Sequence, residues 1–192
     1  MGEIQGEEGE KITPPAMLRD RISINRAPVL TLWAAIVAER LGFDREEALS
    51  LGKAVAGLTA QRKGRRLGIF APTPEALEKA RKEKRVKELW IELLGRHVPA
   101  INTPDGIRAV NKAKPVDPGG VERYLEGKFG EALPDVREAM GALVKAFKPD
   151  RLAQEAFRLY EEFRPGIPEG VAGWGAKGEL DLNRVRALAP KK

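Results

Sequence analysis

The stretch TPEALEKARKEKRVKELWIELLG, residues 73–95, decides the fold read from this chain. Thr73-Pro74-Glu75 is a helix start, with proline in the first turn. The residues that follow are almost all charged, and then turn apolar at Val86, Leu89, Trp90, Leu93 and Leu94. That spacing predicts a helix that buries its second half and stops at Gly95.

The same pattern extends in both directions. Upstream, Asn25 is an N-cap and Pro28 falls in a first turn. Val29, Leu32, Trp33, Ile36, Val37 and Leu41 then recur at helical spacing up to Gly42. Asp44-Arg45-Glu46-Glu47 is a capping box, in which Asp44 accepts from the Glu47 amide and Glu47 reaches back. The helix it opens carries Ala48, Leu51, Val55 and Leu58, and frays at Gln61–Arg66. Downstream, Thr103-Pro104-Asp105 opens a short helix. Asp117-Pro118 opens another that ends at Gly130. Pro134 and Pro149 open two more, and Asp181 caps a last short helix through Leu188. The β-branched residues fall singly, and no segment alternates like a strand. The expectation is an all-α protein, a helical bundle of about eight helices without significant sheet, in one compact or two loosely divided lobes. Residues 1–19 are expected as a disordered acidic tail, 20–95 as an N-terminal helical lobe with a helical hairpin and a basic segment, and 100–192 as a C-terminal helical lobe with a Gly/Pro-rich tail.

Composition bounds the chemistry. A chain of 192 residues with 42% hydrophobic and 32% charged residues is globular in type, and at this length hides roughly 70% of its unfolded surface. There is no cysteine, which excludes disulfides, thiol catalysis and thiolate metal sites. The single histidine, His97, excludes a His-rich metal centre. No cofactor is expected. The first ten residues are acidic, unlike a secretory leader, and the apolar runs are too short to span a bilayer. A cytoplasmic protein that does not enter the membrane is expected.

The charge is concentrated. Residues 61–87 hold ten basic residues against three acidic ones, a balance of +7, while the whole chain carries +6. The pairs Glu75–Lys79, Glu78–Lys82 and Glu83–Lys87 stand at i,i+4 spacing and use every acid of the block. Arg62, Lys63, Arg65, Arg66, Arg81, Lys84 and Arg85 remain uncompensated. Clustered cations are the general grip on nucleic-acid backbones. The bland alternatives are cations satisfying a helix C-terminus and a solvated helix face.

Other motifs are weaker. Val37 to Arg45 resembles the turn of a helix-turn-helix motif, with Ala38 four residues before Gly42. The second helix would then present Arg45, Glu46, Leu49 and Ser50, and Glu46 with Glu47 would repel phosphates. An ordinary helical hairpin is the better reading. Gly173-Trp174-Gly175-Ala176-Lys177-Gly178 fits G-x-G-x-x-G on paper, but a Pro/Gly coil precedes it where a dinucleotide fold needs a strand. A turn pinning Trp174 is preferred, with a small anion nest at Gly175, Lys177 and Gly178 as the minor alternative. His97 follows an expected helix end and is read as structural. Glu161 and Glu162 point in different directions on a helix and form no carboxylate dyad; Tyr160, Arg164 and Glu169 do not change that.

These observations favour a non-enzymatic nucleic-acid-binding protein that grips phosphates through residues 61–87. A protein–protein module with an acidic partner is the alternative. An enzyme gathering Arg65, Arg66, Lys177 and His97 around a phosphorylated small molecule is third. Oligomeric state is not fixed by the sequence.

Overall fold

Helix α1 (Arg26–Leu41) is the centre of the molecule, because its sequence is apolar almost all round. Every residue from Pro28 to Ala38 is buried, as a helix without a polar face must be. The computed structural model describes residues 20–66, 89–167 and 176–191, with side chains as far as Arg62 in the first segment. The remaining elements are β1 (Arg21–Ile24), α2 (Arg45–Arg66), β2 (Leu89–Leu93), β3 (Arg96–Thr103), β4 (Gly106–Asn111), β5 (Lys114–Pro115), α3 (Pro118–Phe129), α4 (Leu133–Lys145), α5 (Pro149–Phe163), β6 (Gly178–Asp181) and α6 (Leu182–Ala187). Buried side chains from both expected lobes join one core cluster.

The helix starts and stops follow the local chemistry. Gly42 takes φ +114°, and its amide and that of Phe43 donate to the Glu39 and Ala38 carbonyls, both at 3.1 Å, closing α1. The Asp44/Glu47 capping box forms in both directions, at 2.8 and 3.1 Å. Asp117 accepts from the Gly119 and Gly120 amides at the start of α3, and Asp181 from the Asn183 amide at the start of α6. Helix α2 stays helical through Arg66 instead of fraying at Gln61.

The all-α, helical-bundle expectation is overturned. Among the described residues, two antiparallel sheets are present, β1 with β6 and a four-stranded meander in the order β2-β3-β4-β5. Leu89–Leu93, expected to end a helix, is a strand whose Ile91 lies opposite Val98. Gly95 does not stop a helix but turns a hairpin: Leu94 and Gly95 both take positive φ, +50° and +69°, as a two-residue turn matched to strand twist requires. Lys112 and Ala113 repeat that geometry between β4 and β5. Thr103-Pro104-Asp105 opens no helix. Pro104 and Asp105 are the turn from β3 to β4, and Gly106 follows at φ +113°. The β3–β4 ladder stops at Ala100 opposite Ala109, next to Pro99, which has no N–H to continue it.

Helix α2 closes the far edge of β4. The Ala109 N–H donates to Ser50 Oγ at 2.9 Å, and Ser50 Oγ donates to the Val116 carbonyl at 3.0 Å. The Ile107 N–H donates to Glu47 Oε2 at 2.8 Å. Arg108, 6% exposed, meets Glu46 at 2.8 Å. Side chains of a helix thus take the place of a neighbouring strand. Of the residues that a helix-turn-helix reading would offer to base edges, Glu46 and Ser50 are thus engaged by the meander, Leu49 is buried in the core and Arg45 pairs with Glu122.

Helices α1 and α2 cross at Gly52. A Cβ there would stand 2.6 Å from the Thr31 carbonyl oxygen and 2.9 Å from the Ala35 nitrogen, both backbone atoms. Gly52→Ala is therefore expected to lower stability by about 1–3 kcal/mol, despite alanine's better helix propensity. Urea denaturation measures it, and a stabilised variant would contradict this crossing.

Candidate functional site

The surface best fitted to meet a partner is built on the outer strand of the meander. In an antiparallel pair, residues directly opposite share a face and alternate residues point the same way. Trp90 lies opposite Pro99, and Glu92 opposite His97. Alternation puts Ile101 on that same face. The opposite face carries Leu93, Val98, Ala100 and Ala109, all buried in the core. Trp90 is 55% exposed and Leu89 39%, the large apolar side chains left open to solvent among the described residues. Among those residues, no strand pairs with the other edge of β2.

Cations gather where α2 runs past the β2–β3 hairpin. Arg96 Nε donates to Thr59 Oγ1 at 3.2 Å, and its guanidinium lies 5.1 Å from the Phe157 ring centroid. Burial holds the Arg96 pKa below the usual arginine value, and the charge of Arg62 lowers it further. Arg62 is itself exposed. Against α3, the Lys53 ammonium sits 3.6 Å from the Tyr124 ring centroid, with Lys128 at 5.9 Å. Burial lowers the Lys53 pKa first, and Lys128 adds to it; burial raises that of Tyr124.

A groove of about 710 Å³ opens at the turn end of the hairpin, with Leu41, Leu94 and Phe157 among its lining residues. Glu92 and Asp150 also line it, which disfavours an anionic occupant. Among the described residues, no group of three or more His, Asp or Glu side chains is placed to hold a metal ion. Every buried side-chain nitrogen and oxygen there has a hydrogen-bond partner.

The residues singled out by sequence fall in several places. Lys63, Arg65 and Arg66 occupy the last turn of α2, where only the backbone is described. Arg81, Lys84 and Arg85 lie outside the described residues, as do Gly175, Trp174 and Glu169. Lys177 is exposed. Gly178 is buried as the first residue of β6, opposite Ile24 and packed against the Gly166 carbonyl. His97 follows no helix end; it is an exposed residue of β3. Tyr160 is buried against Phe157 and Phe163, and burial pushes its hydroxyl up to about 12, out of reach of acid–base work near neutrality. Glu162 is paired with Arg158. Trp90, read from the sequence as buried on a helix, is the surface residue that the pattern concealed.

No family model, no curated protein and no solved structure matches this chain. Its function is therefore argued from its own chemistry.

Proposed function

We propose that this is a non-enzymatic nucleic-acid-binding protein that grips the phosphate backbone through residues 61–87. The observation that carries this reading is the concentration of charge: +7 in that segment of a chain whose total is +6. Seven of its cations are left over once each acid of the segment is paired at i,i+4 spacing: Arg62, Lys63, Arg65, Arg66, Arg81, Lys84 and Arg85. A cation on a phosphate releases condensed counterions, which gives affinity with little sequence preference and a steep salt dependence. The exposure of Arg62 and its nearness to Arg96 support the same reading, since like charges held together favour an anion between or beside them.

The test is binding to duplex and single-stranded oligonucleotides across a range of salt concentrations. Each phosphate contact contributes a slope of about 0.9 for duplex and about 0.7 for single strands in log affinity against log salt. Replacing Arg62, Lys63, Arg65 and Arg66 together with alanine is expected to flatten that slope by about 3. Absence of binding to either probe at low salt overturns the reading. Equal binding to polyglutamate would instead favour an acidic protein partner.

A further inference from the structure

We infer that the exposed face of β2–β3 is a base-stacking platform, and that the nucleic acid this protein takes is single-stranded. The inference rests on the nucleic-acid reading above and assigns it a substrate class. Phosphate contacts alone do not distinguish paired from unpaired strands; a free aromatic face does. Bases in a duplex are stacked on each other, and offering one to a side chain costs unpairing and unstacking. An unpaired base has its π-face free.

Trp90 presents such a partner. Its indole is 55% exposed, on a strand anchored by five paired residues and a two-residue turn. Pro99 lies directly opposite, and His97 and Ile101 flank Pro99 on the same face, recurring at about 6.6 Å along β3. The result is a strip of aromatic, imidazole and apolar groups, set on a backbone whose opposite face buries Leu93, Val98 and Ala100. It is an apolar face for bases and carries few hydrogen-bonding groups to read sequence.

Charge selects the occupant. Lys87 stands three residues before Trp90 in the sequence, and Arg85 five. Arg85 is among the uncompensated cations, so the positive segment of the chain leads directly into the strand that carries the indole. An occupant with a polyanionic backbone and flat apolar groups satisfies both features. Among the described residues, the acid on this face is Glu92, two residues from Trp90 toward the hairpin turn. An acidic peptide would satisfy the cations but gain little from the ring.

The experiment compares an oligothymidylate with a hairpin duplex of the same length, at low salt, by fluorescence anisotropy. The oligothymidylate is expected to bind more tightly. Trp90→Ala is expected to weaken it on the order of tenfold and to leave duplex binding unchanged. Trp90→Phe retains most of the single-strand affinity, because a ring remains, and it removes Trp90's share of the quenching of tryptophan emission by oligothymidylate. The exposure of Trp90 means that both variants keep the fold, which an unchanged thermal melt verifies. If both probes bind but Trp90→Ala changes neither, the platform is refuted while the phosphate-binding reading stands. If neither probe binds, both fall together. If polyglutamate matches oligothymidylate, the partner is an acidic protein and the platform is refuted.

Discussion

Replacing Trp33 by alanine is expected to lower the free energy of unfolding by about 3–5 kcal/mol, the largest effect of any single change proposed for this chain. The side chain is fully buried at the middle of α1. Its Nε1–H donates to the Ala156 carbonyl at 2.8 Å, and its ring meets that of Phe163 edge-on, with centroids 5.1 Å apart. It therefore joins the central helix to α5 in two ways, through apolar area and through a directed hydrogen bond. Trp33→Phe separates the two contributions. It keeps most of the apolar contact and loses the hydrogen bond, so a cost of about 1–2 kcal/mol is expected. Urea denaturation of the three proteins reads this directly. Should Trp33→Ala cost less than about 1 kcal/mol, the packing of α1 on α5 described above is wrong.

The parts of the fold that were legible in the sequence are those whose cause is local. Gly42, the Asp44/Glu47 box, Asp117-Pro118 and Asp181 each act through atoms within a few residues, and each forms as read. The segment 89–115 was not legible in that way. Leu89, Trp90 and Leu93 satisfy a helical spacing and, with Ile91, a strand as well; over five residues the two periods cannot be told apart. The strand is decided by Val98 and Ala100 across the hairpin and by α2 beyond β4, contacts that sequence spacing does not contain. One local signal there did point the other way. Pro104-Asp105-Gly106 between two apolar runs is a turn signature, and it makes the β3–β4 turn where a helix start was read. The pairing of β1 with β6 joins segments from opposite ends of the described chain and leaves no mark in either one. For the candidate site the division is the same. Charge can be counted along a sequence, so the basic segment was evident; the exposure of Trp90 depends on which face of which strand it occupies.

Ser50→Ala is expected to cost about 2–4 kcal/mol, although it removes a single oxygen atom. Ser50 is fully buried, and its hydroxyl serves two backbone groups at once, the Ala109 N–H and the Val116 carbonyl. Alanine leaves both without that partner, the Ala109 N–H in a buried place and the Val116 carbonyl in a half-buried one. The Val116 N–H still donates to the Ala109 carbonyl at 2.8 Å, so the β4–β5 turn stays closed while the edge facing α2 opens. The expected signature is local as well as global: the Ala109 amide loses hydrogen-exchange protection more than the Ala100 amide on the neighbouring strand. Glu47→Gln keeps one acceptor oxygen where Glu47 uses two, for the Ile107 and Asp44 amides, so it gives up one of these bonds and is expected to cost less, about 1 kcal/mol. The comparison matters for function because α2 is common to both parts of the proposed interface. It carries Arg62 to Arg66 at its C-terminal end and, through Ser50 and Glu47, holds the meander that displays Trp90. A Ser50→Ala protein with unchanged stability and a protected Ala109 amide would mean that α2 does not serve as the edge partner of β4. The cations of α2 and the indole of β2 would then lack the rigid connection that the proposed interface requires.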